Sequence, residues 1–199
     1  MQALRDYIDR QTRSIISDAD FAVVMAELLP YKLQKKQFLL RAGEVCQYQA
    51  FVMEGALRLY TVDARGHKHI HVLGVVNMWI GDRESWSQLT PSPYYIDAVE
   101  DSQLLLINCP QAQGLVRTVP LVAELVRIQD ERNAIATQQR LHDAISCSAE
   151  ERYAAFIAQH PTYVQRFSQL MIASYLGISP ETLSRIRARL PHIAAAADS

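Results

Sequence analysis

Nothing in this 199-residue chain approaches the roughly 18 consecutive apolar residues that a membrane-crossing helix needs; the longest apolar stretch lies around "VLGVVNMWI". The first residues, "MQALRDYIDRQTRSII", carry charges throughout and have no apolar centre of secretory-signal length, so a cytoplasmic protein with no membrane partner is expected. Cysteine is scarce: Cys46, Cys109 and Cys147 stand far apart and in no CxxC spacing, which fits reduced thiols rather than a disulfide framework or a zinc site. Excess charge of either sign is also missing. Twenty Lys and Arg face 21 Asp and Glu, a formal net charge of −1, which argues against a protein that coats nucleic acid or anionic membrane with its whole surface. Any such contact must be local. There is no G-x-S-x-G elbow, P-loop, H-E-x-x-H or paired-glycine fingerprint, so neither an enzyme nor a resident cofactor or metal is expected.

What the chain does contain changes along its length. Residues 2 to 29 read as one or two short helices, with Ser17 or Asp18 capping a segment that holds Phe21, Val24, Met25 and Leu28 before Pro30. From Tyr31 to Asn108 short β-rich runs are broken by turn signals, the texture of an antiparallel barrel or sandwich. Within them "EGALRLYTVDARGHKHIHVLG" alternates on both sides of "DARG" and predicts a hairpin turning at Asp63 and Gly66. Between Pro120 and Cys147 there is neither Gly nor Pro. Leu121, Leu125, Ile128, Arg132, Ile135, Gln139 and His142 follow steps of four and three, a seam for a second copy or a face packed on the protein's own barrel. "SAEE" then resembles a capping box, Ser148 with Glu151, and opens a helix that Pro161 closes. A domain boundary belongs near residue 147.

The stretch from Gln169, "QLMIASYLGISPETLSRI", has the spacing of a helix-turn-helix: Ile172, Leu176, Ile178, Leu183 and Ile186 apolar, Ala173 small where helices cross, Gly177 at the turn. Ser179 before Pro180 marks the second helix's start. On it Leu183, Ile186 and Leu190 lie inward, while Glu181, Ser184, Arg185 and Ala188 recur on the opposite face. Arginine can grip guanine and glutamate can accept from cytosine N4. The bland alternative is a surface ion pair between Glu181 and Arg185 worth roughly 0.3–0.5 kcal/mol, with Arg187 and Arg189 merely solvated. Against it, Arg166, Arg185, Arg187 and Arg189 face only Glu181 between residues 160 and 192. Double-stranded DNA is the partner expected, through Ser179, Glu181, Thr182, Ser184, Arg185, Arg187 and Arg189. A scaffold that dimerises and binds protein, with the helix-turn-helix used only for packing, is the rival reading.

This layout resembles the CRP/FNR superfamily of bacterial transcription regulators, most specifically at "YLGISPETLSRI" and also at "RAGE", "FVMEGALRLY" and "WIGD". The resemblance implies an α+β fold: a cyclic-nucleotide-binding-like antiparallel β-roll (jelly roll) with flanking helices over residues 1–118, a dimerisation helix over 119–147, and a winged helix-turn-helix domain over 148–199. It further implies a homodimer on a pseudo-palindrome, with RNA polymerase as a further partner. The E-x-x-S-R arrangement of the FNR-type branch falls here on Glu181, Ser184 and Arg185 and implies a TTGA-like half-site. Pro180 stands where the catabolite-activator branch has another arginine.

The family's nucleotide pocket uses a Gly-Glu pair for the ribose and an Arg-Ser pair for the cyclic phosphate. This chain has Gly81-Asp82 and then no Arg or Lys between Arg83 and Arg117. A cyclic phosphate leaving water needs a cation or several amides, so cyclic AMP and cyclic GMP are not expected to bind. Trp79, Trp86, Tyr94 and Tyr95 crowd the segment instead, and with Gly81 and Asp82 they either line an apolar effector pocket for an unknown molecule or fill a core. The cysteines of iron-sulfur members are absent before Cys46. His67, His69 and His71 share one strand face by alternation, a geometry for metal ligands or simply an exposed polar face.

Overall fold

The structure, a computed structural model, describes residues 2–197, with side chains through Arg189. Helices α1 (Gln2–Thr12) and α2 (Asp18–Glu27) precede strands β1 (Leu29–Leu33), β2 (Phe38–Leu40), β3 (Gln49–Glu54), β4 (Leu57–Val62), β5 (Lys68–Gly74) and β6 (Trp79–Ile80). After α3 (Arg83–Gln88) come β7 (Tyr95–Ala98) and β8 (Ser102–Ile107), and from there to Ala197 the described chain is helical. Its helices are α4 (Cys109–Thr118), α5 (Pro120–Ser146), α6 (Ala149–Gln159), α7 (Tyr163–Arg166), α8 (Gln169–Leu176) and α9 (Pro180–Ala197). Ser17 is the residue that caps α2, its hydroxyl accepting from Asp20 N.

The strands make two antiparallel four-stranded sheets, ordered β1-β8-β3-β6 and β2-β7-β4-β5. Alternation along β8 shows why its run "LLLI" has no polar face. Leu104 and Leu106 enter the core between the sheets with Leu40, Val52, Leu59 and Ile96, while Leu105 and Ile107 face outward onto α1, α2, α4 and α5 with Phe51. The β4–β5 hairpin turns as expected. Asp63 Oδ1 accepts from the backbone N–H of Arg65 and His67, and Gly66 supplies a φ of +84°.

Leu121 and Leu125 do not belong to a free seam. Both pack into the cluster that joins α1 to the outer sheet face, because α1 lies along the first turns of α5 and takes the apolar surface there. Beyond Asp130 every residue from 131 to 142 is exposed, although Arg140 still donates to the His71 carbonyl of β5. Ile135, Leu141 and Ile145 are 60%, 61% and 76% exposed. At its end the capping box forms, Ser148 with Glu151.

Helices α6 to α9 are docked on the other sheet. One apolar cluster runs from Ala56, Tyr60, Ile70 and Leu73 of the roll to Tyr153, Phe156, Ile172 and Leu183. Ser174 Oγ accepts from Ile70 N and donates to Lys68 O, closing the free edge of β5. Among the described residues no strand follows Ile107, so the wing expected within residues 148–199 is not found there. The helix α9 carries on instead through an alanine run of high helix propensity.

Candidate nucleic-acid interface

Two helices and one turn set the position of α9. Ser168 caps α8 by accepting from Met171 N, and Gly177 ends it in the left-handed region at φ +66°. Two residues on, Ser179 Oγ accepts from Thr182 N at 3.1 Å and starts α9. Replacing Ser179 with alanine is expected to cost about 1 kcal/mol of unfolding free energy in a denaturant titration, and replacing it with glycine only a few tenths.

The faces of α9 separate cleanly. Leu183 and Ile186 are 0% and 2% exposed against α6 and α8, whereas Glu181, Ser184, Arg185, Ala188 and Arg189 are exposed and Thr182 and Arg187 half-buried. Leu190, also expected inward, lies outside the described side chains. Glu181 and Arg185 form no ion pair among the described residues. The Arg185 guanidinium donates instead to Thr182 Oγ1 at 3.2 Å, which in turn accepts from Ser179 Oγ at 3.1 Å. The Glu181 carboxyl is held below its ordinary range by its own backbone N–H and the Ser179 hydroxyl, with a smaller contribution from Arg185. It is therefore an acceptor near neutral pH. Arg166, counted with this basic group from sequence, is spent elsewhere: it grips the carboxylate of Glu100 at 2.6 and 3.1 Å and the Gly55 carbonyl at 2.8 Å. That contact ties α7 to the roll.

The residues expected around an effector divide. Trp79, Gly81 and Trp86 line a cavity of about 460 Å³ between the roll and α5, together with Gln49, Arg83, Asn133 and Thr137. The other three do not. Asp82 is the N-cap of α3, its carboxylate accepting from Glu84 N and Ser85 N. Tyr94 turns edge-on to His71, and Tyr95 stacks on Tyr60 at 5.4 Å in the core shared with the C-terminal helices. Local alternation could not separate these, because adjacent tyrosines on a sheet buried on both faces enter different cores. Sequence reasoning missed the polar wall from α5, including Gln129, Asp130 and Asn133, which carries no motif.

The three strand histidines are not brought together either. Leu59 pairs with Val72 and Tyr60 with Ile70, so His71 falls in a bulge and strict alternation fails. His67 and His69 both meet Asp63 Oδ2, at 3.2 and 3.1 Å, while His71 meets Thr61 Oγ1. Among the described residues the ligating atoms of three such side chains all lie within 4.8 Å of one another only at His142, Asp143 and Cys147, at the end of α5. The Cys147 thiol there is pushed up by partial burial and by the carboxylates of Asp143 and Glu151.

Also among the described residues, no helix is long and apolar enough to cross a membrane. Compared with known proteins, the chain matches no family model. It is 27% identical over 171 residues to the "Anaerobic regulatory protein" of Pasteurella multocida (strain Pm70), covering 79% of this chain and 61% of that protein. The chain thus spans about three fifths of the length of that curated relative. Among solved structures it is similar to FixK2 from Bradyrhizobium japonicum (TM-score 0.71, 18% identity, 84% of this chain and 86% of that one). It is likewise similar to the c-di-GMP responsive global regulator CLP of Xanthomonas campestris (0.71, 12%, 89% and 93%). The catabolite activator protein of Thermus thermophilus gives 0.58 and 19% over 92% of this chain and 88% of that one. Three of these four carry regulatory names: the anaerobic regulatory protein, the global regulator CLP and the catabolite activator protein.

Proposed function

We propose, from the CRP/FNR-type fold that this chain has, that the protein is a dimeric, sequence-specific DNA-binding transcription regulator. The observation that carries this reading is the face of α9: Glu181, Ser184, Arg185 and Ala188 exposed together, opposite the buried Leu183 and Ile186. Such a face of short and hydrogen-bonding side chains suits the major groove. Two copies joined along the exposed half of α5 present two such helices, so the site is a pseudo-palindrome with a TTGA-like half and TCAA mirrored across a spacer. Selection of bound duplexes from a random pool tests it directly. Enrichment of that palindrome supports the reading, and recovery of no preferred sequence at low salt removes it.

Neither cyclic AMP nor cyclic GMP is expected to bind. The Asp82 carboxylate is committed to the start of α3, and the nearest cation, Arg83, is paired with Asp130 of α5. A cyclic phosphate entering here would leave water without a free cation to meet it. Calorimetry with cyclic AMP or cyclic GMP is expected to give no heat of binding at micromolar concentrations. Micromolar or tighter affinity for either would overturn this.

A further inference from the structure

The interior of the roll is filled by packed side chains, among them Leu40, Leu59, Ile80 and Ile96. The 460 Å³ cavity begins at the edge of that interior, bounded there by Val72, Ile80 and Trp86, and extends between the outer face of the β1-β8-β3-β6 sheet and α5. Its size is that of a small-molecule site. Much of its wall is apolar, with Leu4 and Ile8 from α1, Ile107 from β8 and Leu125 from α5. Two of the residues that line it, however, bury a polar nitrogen without any hydrogen-bond partner: Trp79 at Nε1 and Gln49 at Nε2. The contrast with Trp86 is informative, since its Nε1 is satisfied by the Ile107 carbonyl at 3.3 Å. An indole N–H can only donate, and this one is closed off from the cavity, so Trp79 must turn toward an occupant to find its acceptor.

The charge at the cavity limits what that acceptor can be. Both guanidinium groups on its rim are already engaged, Arg83 with Asp130 and Arg140 with the His71 carbonyl while lying 4.6 Å from the Tyr175 ring. An entering carboxylate would have to draw Arg140 from the His71 carbonyl and the Tyr175 ring, and would meet the Asp130 carboxylate. We infer that this cavity binds a small, uncharged, largely apolar molecule with a carbonyl oxygen that accepts from Trp79 Nε1 and Gln49 Nε2. The same cavity reaches His160, Tyr163 and Tyr175 in the helices that carry α9. Regulation of DNA affinity by the occupant rests on the function proposed above; the binding itself does not.

The chain contains only two tryptophans, Trp79 and Trp86, and both line the cavity. The full-length protein labelled with ¹⁵N therefore gives two indole N–H resonances that report occupancy. Three probes of one skeleton separate the chemistry: butyrophenone (neutral ketone), n-butylbenzene (no acceptor) and 4-phenylbutyrate (carboxylate). Butyrophenone is expected to move the Trp79 indole proton downfield and to bind at least about tenfold tighter than either of the others, the worth of roughly one to two buried hydrogen bonds. Equal binding of n-butylbenzene would overturn the acceptor, tighter binding of 4-phenylbutyrate would overturn neutrality, and silence of both indoles would overturn the site. Gln49→Leu keeps both reporters and should reduce the preference for the ketone over n-butylbenzene severalfold; Trp79→Phe should do the same, and an unchanged preference in either folded variant counts against the assignment. Adding butyrophenone to the protein on its selected duplex then reads the coupling. A bound ketone with unchanged DNA affinity refutes the coupling alone, and failure to select any duplex refutes the proposed function while the indole titration still decides the site.

Discussion

A chain with aspartate at position 135 will scatter light as a monomer near 22.5 kDa and lose at least about a hundredfold in affinity for the palindromic duplex, the scale on which tethering two sites acts. The reason lies in the second half of α5. Its residues 131 to 142 are all exposed in the protomer, and its ties to the body are polar rather than packed, Arg140 donating to the His71 carbonyl and lying over the Tyr175 ring. Ala134, Gln138, Leu141 and Ile145 recur in steps of four, three and four, with Ile135 beside them, which is the pattern of a helix meeting its own copy. Burying an Ile or Leu side chain against a partner is worth about 1.5–3 kcal/mol each, and a carboxylate placed twice in that seam reverses the gain. Because Ile135 is 60% exposed in the protomer, the substitution removes no packing inside the protomer itself. A variant that still scatters as a dimer at micromolar concentration would show that the protomers meet elsewhere.

What could be read from the chain beforehand was local. Ser17 before α2, Asp63 and Gly66 in the hairpin, the Ser148–Glu151 box and Ser179–Pro180 at the start of α9 are each decided by a few neighbouring residues, and each forms. The sidedness of α9 was legible for the same reason, since one apolar stripe leaves one polar face. Competition between distant partners was not legible. The heptad steps on α5 are real, yet α1 covers Leu121 and Leu125, and periodicity cannot say which of two apolar surfaces arrives. Arg166 looked like part of the basic patch until Glu100, 66 residues away, took it. A single bulge in β5 turned His71 from the face of His69. Asp82 stands where the family resemblance leads one to expect a ribose-binding carboxylate, but it is also the natural first residue of a short helix, and that role claims its carboxylate.

On the selected duplex, Arg185→Ala will cost roughly 1–3 kcal/mol of binding free energy and flatten the preference at the guanine of the TTGA half-site. The side chain is exposed near the start of α9, where recognition helices meet base edges, and its guanidinium is held only by a neutral hydroxyl, Thr182 Oγ1. Moving to a guanine therefore breaks no ion pair, and a bidentate contact to O6 and N7 is available at little cost. Glu181, held ionised by its own N–H and Ser179, addresses the cytosine of the same pair, so Glu181→Ala should relax specificity with a smaller loss of affinity because phosphate repulsion is relieved as well. Arg189 is exposed one turn further on and is assigned to phosphate. Arg189→Ala should weaken every duplex by a similar factor and lower the salt dependence by about one counterion per subunit. Binding titrations of the three variants across matched, guanine-substituted and random duplexes at several salt concentrations distinguish these roles. A uniform loss for Arg185→Ala across all sequences would make Arg185 a phosphate anchor and move the reading face of α9 elsewhere.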